Sequence, residues 1–108
     1  MPVPVTPGLP TDESGYKQLS VTIAVDATPQ PLSLTSIACS EYALQVPFGG
    51  NPIHIGGPDV TTSTGIELDP PSAGGITPDT ANDYIDNLSK VWIIGTSGTV
   101  VNVLYRTL

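Results

Sequence analysis

The sequence predicts an all-β domain, a small antiparallel β-sandwich or barrel of about six to eight short strands. Apolar and polar residues alternate with a period of two in several segments, as they do in strands with one buried face. Twelve prolines and eleven glycines among 108 residues interrupt the chain too often for long helices. We therefore expect one β-sandwich domain over residues 15–108, preceded by an extended arm over residues 1–14.

The arm is predicted from its prolines, which fall at four of the first ten positions: Pro2, Pro4, Pro7 and Pro10. Proline fixes φ and lacks the N–H that a β-ladder needs, so such a segment favours the extended polyproline II conformation. The arm is either a disordered tail or a segment that docks on a neighbouring subunit. In the second case these four prolines are candidate interface residues.

The next strands are predicted from alternation. In "YKQLSVTIAV" the inward positions are Leu19, Val21, Ile23 and Val25, and in "CSEYALQVPF" they are Tyr42, Leu44, Val46 and Phe48. Pro47 should lie at a strand end or a sheet edge. "PIHI" predicts a short strand with Ile53 and Ile55 inward, and "TTSTGIEL" predicts a weaker strand with Ile66 and Leu68 inward.

The carboxyl-terminal third begins with "TPDTANDYIDNLS", where Thr77 and Pro78 resemble a helix start. The poor helix formers that follow predict only a turn, or a short strand around Tyr84 and Ile85. "KVWIIG", "TSG" and "TVVNVLYRTL" then predict a β-hairpin with a glycine-bounded loop. Because residues 91–94 and 100–105 are nearly continuously apolar, we expect both faces to be covered, one of them by another subunit.

The charge balance argues against several partners. Three basic residues stand against ten acidic ones, giving a net charge of −7. Nucleic acids and anionic membranes are bound through clustered Lys and Arg, which this chain lacks. No apolar run approaches the roughly 20 residues of a membrane-spanning helix. Charged residues make up only 12% of the chain, a composition typical of assembly subunits covered by neutral polar side chains.

No catalytic residue, cofactor or metal site is predicted. His54 lies between two isoleucines of its strand and points away from them, and the single Cys39 follows an apolar stretch as a small buried residue would. The pair Gly56 and Gly57 precedes Pro58 and has no lysine nearby, so it serves a turn and not a phosphate loop. One histidine and one cysteine are too few for zinc.

Two binding alternatives stay open. A cation near the carboxylates Asp79, Asp83 and Asp86, with Glu67 and Asp69 in an adjoining loop, is conceivable because calcium prefers oxygen ligands. The aromatic residues are spaced either as core and interface residues or as a sugar-binding platform: Tyr42, Tyr84, Trp92 and Tyr105.

Two stretches, "NPIHIGGPDVTTSTGIELDP" and "NLSKVWIIGTSGTVVNVLY", together resemble an element of small virion proteins of tailed bacteriophages. The similarity covers residues 51–70 and 87–105, with "YKQLSVTIAV" as a looser first strand, or about half of the chain. It is carried by Gly56–Gly57, Asp59-Val60-Thr61-Thr62, Gly65 and Leu88-Ser89. The chain departs from that family at Pro58 and in its acidic composition.

The resemblance implies a non-enzymatic, all-β virion subunit that forms a homo-oligomer or binds a symmetric lattice. The favoured function is a capsid decoration (cement) protein on the outer surface of the phage head, with the major capsid protein or other virion proteins as partners. A neck, tail or fibre-base subunit is the alternative within the class, and a carbohydrate-binding or adhesin module is the alternative outside it. Besides the arm prolines, the expected contact residues are Trp92, Val100 and Leu104.

Overall fold

Eight β-strands and one turn of 3₁₀ helix make up the regular structure of the part of the chain that a computed structural model describes, residues 15–71 and 80–107. The strands are β1 (Tyr16–Thr22), β2 (Gln30–Pro31), β3 (Glu41–Gln45), β4 (Ile53–Gly56), β5 (Ile66–Leu68), β6 (Ala81–Tyr84), β7 (Trp92–Ile94) and β8 (Val100–Arg106). The 3₁₀ turn covers Leu88–Lys90. The predicted arm, residues 1–14, lies outside the described residues.

The strands form two four-stranded antiparallel sheets, with the orders β1-β8-β3-β6 (sheet A) and β2-β7-β4-β5 (sheet B). The pairing is nested: the first strand pairs with the last, the second with the seventh, the third with the sixth and the fourth with the fifth. A long hairpin folded over on itself produces this order, which is the jelly-roll form of the β-sandwich. The prediction of a small antiparallel β-sandwich is therefore confirmed.

The core lies between the two sheets and follows the alternation that the sequence predicts for most strands. Its fully buried side chains come from both sheets and from the 3₁₀ turn: Ile23, Leu44, Val46, Ile53, Leu68, Leu88, Ile93, Val101 and Val103. Each buried aliphatic side chain of this size stabilises the fold by about 1.5–3 kcal/mol relative to exposure. The interior between the sheets is thus filled by side chains.

Three residues predicted to point inward are exposed. Val25 is 58% exposed because β1 ends at Thr22 and the chain then turns. Phe48 is 66% exposed because β3 ends at Gln45, which places Phe48 in the turn beyond it. Ile66 is also 66% exposed, because it lies on the edge strand β5, where no further strand covers it.

The predicted carboxyl-terminal hairpin is wrong. β7 pairs with β2 and β4 in sheet B, whereas β8 pairs with β1 and β3 in sheet A. The segment between them crosses from one sheet to the other and is held by backbone hydrogen bonds, from Ala27 N to Gly95 O (3.0 Å) and from Ile23 N to Thr99 O (2.9 Å). The two apolar runs therefore lie on different sheets and face each other across the core.

The expectation that another subunit covers the second face of these runs stays a prediction, and in the single chain the outward side of β8 is open. Its residues alternate strictly between exposed and buried along the strand, which leaves Val100 37% and Leu104 42% exposed on the outer side of sheet A. In β7, by contrast, Ile94 is buried on the outer side of sheet B.

The segment before β7 contains the predicted short strand at Tyr84, which is the last residue of β6. Thr77 and Pro78, the suggested helix start, lie outside the described residues. Asn87 caps the 3₁₀ turn: its Oδ1 accepts hydrogen bonds from Ser89 N (3.0 Å) and from Ile37 N (3.0 Å). Its Nδ2 donates to Ser36 Oγ (2.6 Å). The Leu-Ser motif therefore has a structural role at this cap.

Candidate functional site

The two side chains that resemble catalytic groups lie in different environments. Cys39 is fully buried in the core, where its Sγ donates to Ile85 O at 3.3 Å. Burial, followed by the nearby Asp86 carboxylate, raises the pKa of this thiol. His54 lies on the outer side of sheet B with its Nε2 3.8 Å from Glu67 Oε1. A neutral buried thiol without an imidazole beside it is a poor nucleophile.

The carboxylates do not converge. Asp83 lies on β6, where its Oδ1 accepts a hydrogen bond from Tyr84 N at 2.7 Å. Asp86 forms an ion pair with Lys90 (2.9 Å), and the hydrogen bond from Lys90 lowers the pKa of Asp86. Asp79 lies outside the described residues. Within residues 15–71 and 80–107, no group of three or more His, Cys, Asp or Glu side chains has a metal-binding arrangement.

The Gly-Gly and Asp-Val-Thr-Thr motif builds a loop that folds back on β4. Val60 is buried, and a Cβ atom at Gly56 would come within 3.1 Å of Val60 Cγ2. Gly65 has φ +82°, and a Cβ atom there would collide with the Ile55 carbonyl oxygen. Thr61 N donates to Thr64 Oγ1 at 2.9 Å. These residues therefore fix the loop conformation.

A second feature, the outer face of sheet A, has the form of a docking surface. One register row crosses all four strands and consists of Tyr16, Arg106, Glu41 and Tyr84. The next row consists of Gln18, Leu104, Ala43 and Asn82. Apart from the charged pair in the first row, the outward side chains are aromatic, aliphatic or neutral polar.

A groove of about 260 Å³ lies on this face between two tyrosines. Tyr16 is 61% and Tyr84 79% exposed, and the groove is lined below by Ala43 and Leu104. We call this feature the Tyr16–Tyr84 groove; its rim also includes Glu41, Asn82 and Asp83. It lies just below the roughly 300–1,000 Å³ of small-molecule pockets, so it suits part of an extended chain better than a whole compact ligand.

The position of Tyr16 is fixed by a hydrogen bond across the neighbouring strand. Its hydroxyl donates to Glu41 Oε1 at 2.8 Å, so the side chain spans β8 to reach β3. This hydrogen bond, together with the negative charge of Glu41, raises the pKa of Tyr16. An aromatic ring that is both exposed and held in place loses little entropy on binding, which is typical of contact residues.

The residues predicted to make contacts do not share one surface. Leu104 lines the Tyr16–Tyr84 groove, and Val100 is exposed farther along β8. Trp92 is half-buried on β7 of the other sheet, so it does not pair with Tyr84 as a sugar platform would require. The four arm prolines lie outside the described residues. Tyr16 was not among the predicted contact residues, although the alternation that places Leu19 and Val21 inward places Tyr16 outward.

Comparisons with known proteins leave the family open. No protein-family model matches the chain, and no curated protein matches it. Among solved structures, a chain from Bacillus endospore appendages, described as a family of disulfide-linked pili, aligns over 97% of this chain and 100% of its own length. The TM-score is 0.35 and the identity 19%, values too low to support a shared fold or function. No helix among the described residues is long and apolar enough to cross a membrane.

Proposed function

We propose that this chain is a non-enzymatic structural subunit that works by docking through the outer face of sheet A. The observation that carries the proposal is the groove between Tyr16 and Tyr84, two largely exposed aromatic side chains on a regular sheet face. Aromatic side chains are enriched at protein interfaces and dominate their binding energy. The filled interior between the sheets leaves the outer faces as the surfaces available for function.

Within that class, the specific proposal is a bacteriophage virion protein, and in the first place a decoration protein on the outside of the head. The motif in residues 51–70 and 87–105 supports this choice, and the structure gives the motif a structural role in a loop and a cap. A rigid sandwich with exposed aromatic and aliphatic side chains on one outer face suits attachment to a symmetric shell. A neck, tail or fibre-base subunit would use the same surface.

Co-assembly with a shell tests this proposal. The full chain is co-expressed with the major capsid protein encoded in its genomic neighbourhood, and the shells are isolated on a sucrose gradient. A decoration protein should sediment with the shells at a fixed stoichiometry, and Leu104→Asp, which places a charge on the outer face of sheet A, should abolish co-sedimentation. Phe48→Asp, at an exposed position away from the groove, is the matched control and should sediment like the unmodified chain.

If the Leu104→Asp variant still co-sediments with the shells, the outer face of sheet A is not the surface that attaches to them. Absence from shells, combined with co-purification with tail components, would move the chain to the neck, tail or fibre-base alternative. Absence from both, combined with glycan-array binding, would favour the carbohydrate-binding alternative.

A further inference from the structure

We propose that the proline-rich residues 1–14 of one copy bind in the Tyr16–Tyr84 groove of a second copy. This inference rests on the proposed function as a structural subunit that docks through the outer face of sheet A, and it names a contact by which copies join. The groove is the receptor half of the contact, and the arm is the ligand half.

The spacing of the prolines matches a ligand for an aromatic groove. Pro4, Pro7 and Pro10 recur at every third position, which is the repeat of the polyproline II helix. In that conformation the three rings share one edge and span about 19 Å at about 3.1 Å per residue. The arm thus holds two overlapping Pro-x-x-Pro sequences, the pattern that aromatic-lined grooves recognise.

The dimensions and charges of the groove fit this ligand. Three interstrand spacings separate β1 from β6, or about 14 Å, so a stripe of proline rings can cross the whole face. Ala43 is the smallest side chain of its row, and it leaves room beside Leu104 for a ring to contact the floor. The rim carries the carboxylates of Glu41 and Asp83. Residues 1–11 contain no acidic side chain, so the row of proline rings brings no further negative charge next to these carboxylates.

The start of β1 indicates why the arm reaches another copy. The Gly15 carbonyl accepts hydrogen bonds from Thr107 N (2.8 Å) and Thr107 Oγ1 (3.1 Å). These bonds hold the first residue of the domain in line with β1, at the end of the sheet. To reach the groove of its own copy, the chain would have to reverse direction between Pro10 and Tyr16, so we assign the arm to the groove of a second copy. Such a head-to-tail contact builds rings or filaments, because each copy both gives an arm and receives one.

Peptide binding and self-association test the contact in the full chain. A synthetic peptide of residues 1–14 should shift the amide resonances of Ala43, Asn82 and Tyr84 in a ¹⁵N-labelled sample and should dissociate oligomers in sedimentation velocity. Tyr84→Ala should weaken peptide binding at least tenfold, the effect of removing a central aromatic contact. Tyr84→Phe should retain it.

Two controls isolate the arm and the groove. Phe48→Ala removes another largely exposed aromatic ring, 66% against 79% for Tyr84, outside the groove and should change the peptide affinity less than twofold. A peptide with Pro4→Ser, Pro7→Ser and Pro10→Ser should not bind, and the full chain with these substitutions should be monomeric.

Three results would overturn the inference. The amide resonances of the groove residues do not shift, the serine-substituted peptide binds as tightly as the natural peptide, or the unmodified chain is monomeric. A monomeric chain would place each arm in its own groove. Glycan binding that depends on Tyr84 would also overturn it, by assigning the groove to sugars. A full chain that stays oligomeric with the three serine substitutions would also refute the arm contact. If that chain still co-sediments with shells, the proposed function stands. If the peptide binds the groove but the chain is absent from all virion parts, the arm contact stands and the proposed function is refuted.

Discussion

Self-association of this chain should strengthen as salt is added. Each copy carries a net charge of −7, and the proposed contact between copies is apolar. Two such charges with centres about 33 Å apart, roughly one domain diameter, repel by about 6 kcal/mol in unscreened water. With a Debye length of about 30 Å at about 0.01 M salt, the repulsion is about 2 kcal/mol, and at about 0.15 M it is about 0.1 kcal/mol. The association constant should therefore rise about 30-fold between these two conditions.

Sedimentation velocity over a concentration series measures this change directly. Sodium chloride at these concentrations screens charges without strengthening apolar contacts appreciably. A repeat near the pI of 4.1 is the internal control: protonation of the carboxylates removes most of the net charge, so the same salt change should have little effect. An association constant that falls with salt would refute the reasoning, because ion pairs across the contact would then drive assembly.

Three further predictions concern the fold. Ile93→Ala in the filled core should lower the free energy of unfolding by about 2–5 kcal/mol. Ile66 is 66% exposed, so Ile66→Ala should lower it by less than about 1 kcal/mol. Similar losses for the two variants in urea titrations would contradict the register of β5. Thr99→Val should raise stability by about 1 kcal/mol in the same assay, since the buried Thr99 Oγ1 has no hydrogen-bond partner among the described residues; a lower stability would reveal an unseen partner. Cys39, buried and with a raised pKa, should react with a thiol reagent at about pH 8 only after denaturant is added, and rapid labelling of the native chain would show that the core opens.

Local periodicity predicts most of the strands because burial on one face imposes alternation directly on the sequence. Leu44, Val46, Ile53 and Ile55 are buried as predicted. Alternation fails at Phe48, because the pattern continues past the point where the strand ends. Pro47 is the local signal for this end, since it lies two residues beyond Gln45, the last residue of β3. The last paired residue itself depends on a partner strand elsewhere in the chain.

The long-range pairing explains the larger error. The segments 92–94 and 100–106 look like the two arms of a hairpin because a glycine-bounded turn separates them. In a jelly roll such neighbours can belong to opposite sheets, since β8 finds its partners in β1 and β3. The groove was missed for the same reason: Tyr16 and Tyr84 are 68 positions apart in the sequence, and only the register of the whole sheet brings them into one row.

The nested pairing also determines where binding can occur. In the described part of the chain, the inward positions of the sandwich are occupied by Leu, Ile and Val side chains, so the loops and outer faces are the surfaces that we propose for recognition. On sheet B, the loop that carries Val60 folds back on β4, and the outward Ile94 is buried. On sheet A, the outward row across β1, β8, β3 and β6 stays uncovered in the described part of the chain, and it ends in an exposed tyrosine on each edge strand. This asymmetry between the two sheets is the structural reason for proposing sheet A as the contact surface.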